Sequence, residues 1–99
     1  MTIVSDIMYQ GKAPKPRLLL IDDDARLTAM VSDYLRRNGF EVDCAGSLAI
    51  GREKLKSAAY DALLLDLMLP DGDGLDLTRE LRAEARTRRL PLLMLTARG

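Results

Sequence analysis

The chain has no histidine, a single cysteine and no net charge, and each scarcity removes a class of function. Without an imidazole, a nucleophile that depends on a histidine base is excluded. Cys44 cannot form an internal disulfide, and it reads as a small apolar residue on a strand of a reduced, cytosolic protein. Lys plus Arg and Asp plus Glu both total 15, so no overall field draws nucleic acid or an anionic membrane. No apolar stretch reaches the ~18 residues of a membrane helix, so no membrane contact is expected. No internal repeat or low-complexity tract is visible. Residues 1–16 lack the basic start and continuous apolar stretch of a signal peptide, and Gly11-Lys-Ala-Pro-Lys-Pro16 reads as a linker. This segment is expected to be a flexible leader, although Ile3, Val4, Ile7, Met8 and Tyr9 could dock as a short helix. At 99 residues the chain makes one domain. A domain of that size buries roughly 60 to 65% of the surface its unfolded form exposes.

What the chain does have is carboxylates at the ends of apolar runs. Leu18-Leu-Leu-Ile21 ends in Asp22-Asp23-Asp24, and Ala62-Leu-Leu-Leu65 ends in Asp66. Short aliphatic runs bounded by turn signals suit strands covered on both faces, as in a parallel sheet with helices above and below. In such sheets ligands bind beyond the carboxyl ends of the strands, where strand order reverses. If the two strands are neighbours, at least three acidic groups meet there and oppose one another's ionisation. An all-oxygen site of this kind suits a hard divalent cation, Mg²⁺ above all where a phosphoryl group supplies further oxygens. A plainer role is open to any one of these residues, since aspartate also begins turns and caps helices.

From Arg17 onward strand-like and helix-like segments alternate, the pattern of a doubly wound α/β domain. After Asp24, the apolar residues Leu27, Met30, Val31, Tyr34 and Leu35 recur at helical spacing and predict one buried face. Arg36, Arg37 and Gly39 supply a cationic last turn and a stop. Phe40 to Ala45 alternates as a strand, and Ser47 is the expected N-cap of a second helix with Leu48, Leu55 and Ala59 inward. Pro70, Gly72 and Gly74 predict a rigid turn before a third helix with Leu77 and Leu81 inward. Arg79, Arg82, Arg86, Arg88 and Arg89 read as a solvated helix face and loop. Leu90 to Leu95 is the expected fourth strand.

Leu19-Leu-Ile-Asp-Asp-Asp24, Asp66-Leu-Met-Leu-Pro-Asp-Gly-Asp-Gly74 and Leu93-Met-Leu-Thr-Ala97 together resemble, in order and spacing, three sequence blocks of the receiver domains of two-component response regulators. The likeness runs from Arg17 to Gly99, and the second block is most similar to receivers attached to winged-helix DNA-binding domains. The resemblance implies a flavodoxin-like fold with strand order 2-1-3-4. It implies a phosphorylation-dependent signalling switch rather than an enzyme, with Asp66 taking a phosphoryl group from a sensor histidine kinase. Asp23 would bind Mg²⁺ or Mn²⁺ directly, Asp22 mainly through water, and the Met68 carbonyl would be a further ligand. Thr96 would donate its hydroxyl to a phosphoryl oxygen, with the Ala97 N–H beside it, while Asp24 caps the first helix. A carboxylate nucleophile is already ionised at neutral pH and needs no general base, which suits a chain without histidine.

The resemblance also implies a fourth helix, a fifth strand ending in a lysine that pairs with the phosphoryl group, and a fifth helix. The 99 residues contain none of these, so residues 17–99 read as an incomplete receiver. Lys12, Lys15, Lys54 and Lys56 are not expected to replace the missing cation. Weak or no phosphorylation of the 99-residue form is expected, as is its self-association, and DNA is reached only through an effector domain outside this chain. Two other readings compete. Asp22 and Asp24 also look like the D-x-D of haloacid-dehalogenase-type phosphatases, but Arg26 stands where that motif has a small residue, and the Asp66 block is left unexplained. A receiver without phosphorylation could act as a protein-interaction module. A calcium loop fails, because Leu75 occupies a position that needs an oxygen ligand.

Overall fold

The computed structural model describes residues 14–95. Residues 1–13 of the expected leader, and Thr96 and Ala97 of the expected site, lie outside the described residues. Strands β1 (Arg17–Ile21), β2 (Glu41–Ala45), β3 (Ala62–Asp66) and β6 (Leu92–Leu95) form one parallel sheet in the order β2-β1-β3-β6. This is the flavodoxin-like order expected. Strands β4 (Met68–Leu69) and β5 (Gly72–Asp73) form a separate antiparallel ribbon where a rigid turn alone is expected.

Helices α1 (Ala25–Arg37), α2 (Leu48–Ser57) and α3 (Gly74–Ala83) cover the two faces. Because side chains alternate along a strand, Leu19, Ile21, Leu63 and Leu65 point to one face, where Leu48 and Leu55 of α2 and Leu77 and Leu81 of α3 pack on them. Leu18, Leu20, Val42 and Leu64 point to the other, beneath Val31 and Leu35 of α1. Cys44 is a half-buried free thiol against that second face.

The helix starts follow the local signals. Asp24 caps α1 by accepting from the Arg26 and Leu27 amides at 3.1 and 3.0 Å, and Ser47 caps α2 by accepting from the Ile50 amide at 3.2 Å. The rotation of α1 differs from expectation. Val31 and Leu35 face the sheet together with buried Ser32, whereas Leu27, Met30 and Tyr34 are exposed. Successive residues are 100° apart on a helix, so the face holding Thr28, Val31, Ser32 and Leu35 lies about a third of a turn from the Leu27, Met30, Tyr34 face. Nothing among the described residues buries that second face. Ala59 is likewise exposed, because α2 ends at Ser57 and the chain leaves the sheet surface there.

An acidic cleft at the carboxyl ends of the strands

The candidate site forms where β1 and β3 end side by side. Ile21 pairs with Leu65 in the parallel register, so the residues that follow, Asp22 and Asp66, emerge level with one another. The Asp22 amide donates to the Ala45 carbonyl at 3.0 Å, which extends the β1–β2 ladder by one residue and fixes the carboxylate over the sheet edge. Asp22 Oδ1 accepts from the Asp24 amide at 2.9 Å, and Asp66 Oδ1 accepts from the Met68 amide at 3.1 Å. One carboxylate oxygen each from Asp22, Asp23 and Asp66 lies within 4.8 Å of the others.

Two of these groups are nearly removed from water: Asp22 and Asp66 are 5% and 6% exposed, while Asp23 is exposed. Burial pushes the Asp22 carboxyl above the usual carboxylate range, and the charges of Asp66, Asp23 and Asp24 push it further, against the opposing hydrogen bond from the Asp24 amide. No ion pair among the described residues reaches any of the three. Lys54 and Lys56 lie in the last turn of α2, and Lys15 precedes β1 at the amino ends of the strands, so none of them is at the cleft. A tight set of oxygen donors, partly desolvated and without a basic side-chain partner among the described residues, has the chemistry of a site for a hard divalent ion.

The loop after Asp66 is shaped by glycine. At Gly74 a Cβ would sit 2.8 Å from the Asp66 carbonyl oxygen and 3.1 Å from the Leu67 Cα, so only glycine lets α3 begin against the end of β3. The Gly74 amide donates to the Leu67 carbonyl at 3.0 Å and closes the base of the β4–β5 ribbon. Met68 lies on that ribbon with its side chain exposed. Leu95 of β6 pairs with Asp66.

Asp71 makes a contact that no local motif signals. Its Oδ1 and Oδ2 accept from the Leu48 and Ala49 amides at 2.9 and 3.0 Å, across 23 and 22 residues. Those two hydrogen bonds, that from Leu48 first, hold the Asp71 carboxyl below the usual range. Pro-Asp-Gly reads locally as a turn, and nothing in a sequence window points from it to a helix start so far away.

Fold and site together define a flavodoxin-like α/β domain with an acidic cleft beyond the carboxyl ends of its central strands. The chain belongs to the response regulator receiver domain family, whose model matches residues 18–99. It is 42% identical over 87 residues to protein PetR of Rhodobacter capsulatus, covering 88% of this chain and 35% of that protein. The non-phosphorylated HemR receiver domain of Leptospira biflexa is similar at a TM-score of 0.78 and 34% identity, over 85% of this chain and 66% of that one. The receiver domain of a sensor histidine kinase from Pseudomonas aeruginosa, solved with a magnesium ion coordinated in its active site cleft, gives a TM-score of 0.79 at 32% identity, over 86% of this chain and 70% of that one. The chain spans about a third of the length of the curated relatives it matches.

Proposed function

We propose that this domain is a phosphorylation-dependent switch of a cytoplasmic two-component system. A sensor histidine kinase is the phosphoryl donor and Asp66 the acceptor. The observation that carries this reading is the gathering of three carboxylates within 4.8 Å, two of them buried and none paired with a cation among the described residues. Such a set suits a cation better than it suits a fold. Asp23 would bind Mg²⁺ or Mn²⁺ directly, Asp22 through water, and Asp66 and the Met68 carbonyl would complete the protein's share. A bound cation supplies neutralisation of the charge that develops on the transferring phosphoryl oxygens.

The chain's own residues do the rest. An Asp66 carboxylate oxygen attacks the phosphorus of a phosphohistidine; the new O–P bond forms as the P–N bond breaks, and the imidazole leaves with the electron pair. The Met68 amide, donating to Asp66 Oδ1 at 3.1 Å, fixes one oxygen and leaves the other to act as nucleophile. Thr96 and the Ala97 N–H would hold phosphoryl oxygens. The role is regulatory rather than enzymatic, with output to transcription through an effector domain of the kind that regulators such as the transcriptional activator PfeR of Pseudomonas aeruginosa suggest.

Beryllofluoride with Mg²⁺ is the direct probe, since it mimics the phosphoryl group without requiring a kinase. Fluorine resonance of the parent should show a bound species that disappears in Asp66→Asn, which keeps the shape and removes the nucleophile. A bound species that persists in Asp66→Asn moves the acceptor elsewhere. None in either protein favours a phosphorylation-independent interaction module.

A further inference from the structure

The N-terminus of α2 is capped twice, once locally and once from afar. Ser47 satisfies the Ile50 amide, while both oxygens of Asp71 satisfy the Leu48 and Ala49 amides. The first turn of α2 has no acidic residue of its own, so Asp71 also supplies the negative charge that a helix start favours. A local aspartate would serve the helix equally well. What the distant one adds is a fastening between two loops.

Asp71 is at the tip of the ribbon, where Met68 and Leu69 pair with Asp73 and Gly72 and leave only Pro70 and Asp71 unpaired between them. The ribbon lies directly on α2: at Gly72, with φ +152°, a Cβ would meet Leu48 Cδ1 at 2.8 Å. Its base is held by the Met68 amide on Asp66 and the Gly74 amide on Leu67. Met68 thus sits between a fixed base and a tip that packs through Leu69 and Gly72 and is hydrogen-bonded to α2 by the Asp71 side chain. Since α2 follows β2, the ribbon follows β3, and β1 lies between those strands, the fastening spans the end of β1 that carries Asp22 and Asp23.

We infer that Asp71 is a positioning residue: by tying the ribbon tip to the start of α2 it holds the Met68 backbone ready for the cation. The inference rests on the cation-site reading above. A carbonyl ligand that must be ordered on binding weakens the site, and partners one shell out from a metal typically cost about tenfold or more in affinity when removed.

Ser47 supplies the control, because its hydroxyl caps the same helix from within the local sequence, by a bond to the Ile50 amide. Mg²⁺ titration of the 99-residue chain by calorimetry, with thermal unfolding of each metal-free protein, compares the parent with Asp71→Ala and Ser47→Ala. Both variants should unfold at lower temperature. Asp71→Ala should also bind Mg²⁺ about tenfold more weakly, while Ser47→Ala stays within about twofold of the parent. Amide exchange at Leu48 and Ala49 should rise in Asp71→Ala. If Asp71→Ala does not fold, Asp71→Asn, which keeps one acceptor oxygen, takes its place with a smaller loss in the same direction. Parent-like Mg²⁺ affinity in the Asp71 variants overturns the inference and leaves the cation site standing, and so does an equal loss in Ser47→Ala. A parent that takes up no Mg²⁺ overturns both.

Discussion

Asp43 and Asp22 are carboxylates on or beside neighbouring strands, and their surroundings push them in opposite directions. Asp43 accepts from the Tyr60 hydroxyl at 2.6 Å and from the Arg17 guanidinium at 2.9 Å, and the Tyr60 bond first, then Arg17, hold its carboxyl below the usual range. Arg17 also stacks over the Tyr60 ring at 5.3 Å, so the three side chains lock β1, β2 and the lead into β3 at their amino ends. Asp22 is buried among acidic neighbours instead, and burial first, then their charges, push its carboxyl up. A satisfied carboxylate belongs to the scaffold; one left in want of a cation belongs to the site. The first half of this contrast is testable by pH. Burial, then the hydrogen bond to Asp43, raises the Tyr60 hydroxyl from 10.0 to about 12. Because the folded protein keeps this proton longer than the unfolded chain, the stabilisation is present in full below pH ~10 and is lost as pH rises towards the folded value. Asp43, shifted down, contributes above the ordinary carboxylate value near 4 and loses that contribution as pH falls through its lowered value. Tyr60→Phe should therefore cost about 1 kcal/mol at pH 7 and lose less stability than the parent between pH ~10 and ~12. Urea unfolding across that range measures both, and identical alkaline slopes in the two proteins would remove Tyr60 from this account.

At the scale of elements, the arginines of α3 and of the connector after it are not uniformly a solvated run. Arg82 Nη1 donates to the carbonyls of Arg88 and Leu90 at 2.9 and 2.7 Å and more weakly to that of Thr87 at 3.4 Å. Arg86 donates to the Leu55 carbonyl of α2 at 2.7 Å, and the buried Thr87 hydroxyl donates to the Leu81 carbonyl at 2.7 Å. These bonds fold the connector back so that Leu90 enters the core and β6 starts beside β3. Arg79 makes only an exposed pair with Asp76. Arg82→Ala should cost about 1 to 2 kcal/mol, since charged donors to carbonyls are lost together. Arg79→Ala should stay within about 0.5 kcal/mol, as exposed pairs do. Equal urea midpoints for the two variants would return Arg82 to the solvent face. The contrast also marks what a sequence can carry. The aliphatic runs at Leu18 and Ala62 betray strands buried on both faces, and Asp24 and Ser47 sit next to the amides they cap, so these strands and helix starts were legible in the residues themselves, while the strand order that brings Asp22, Asp23 and Asp66 together was implied by the resemblance to receiver domains. The reach of Asp71 to Leu48, the grip of Arg82 on its own connector and the rotation of α1 each depend on where other elements come to lie. A local window does not hold that information.

The whole molecule leaves apolar surface uncovered on one side. Leu27, Met30 and Tyr34 of α1 are 37%, 67% and 64% exposed, and Leu93 of β6 is 59% exposed. Leu93 pairs with Leu64, which packs on the α1 side of the sheet, so these residues flank one face. β6 is also an outer strand among the described residues, so the backbone groups along its outer edge have no sheet partner there. Exposed apolar edge strands template pairing with other chains, and contiguous apolar patches mark association surfaces. At about 25 cal/mol per Å², a few hundred Å² of such surface corresponds to roughly 5 to 10 kcal/mol, the scale of micromolar association before its entropic cost is subtracted. An outer strand can pair with the same strand of another molecule, so a second copy of the chain is the occupant we expect for this face. Residues 1–99 alone should therefore sediment as dimers or larger species at about 50 μM. Met30→Glu combined with Leu93→Lys should shift them towards monomer with little loss of thermal stability, because both side chains are exposed and contribute little to the core. Amide exchange on β6 should slow as concentration rises and the edge becomes paired. A parent that sediments as a monodisperse monomer, with Leu92–Leu95 amides strongly protected at every concentration, would show that the chain satisfies this edge by itself and would end the proposal of self-association.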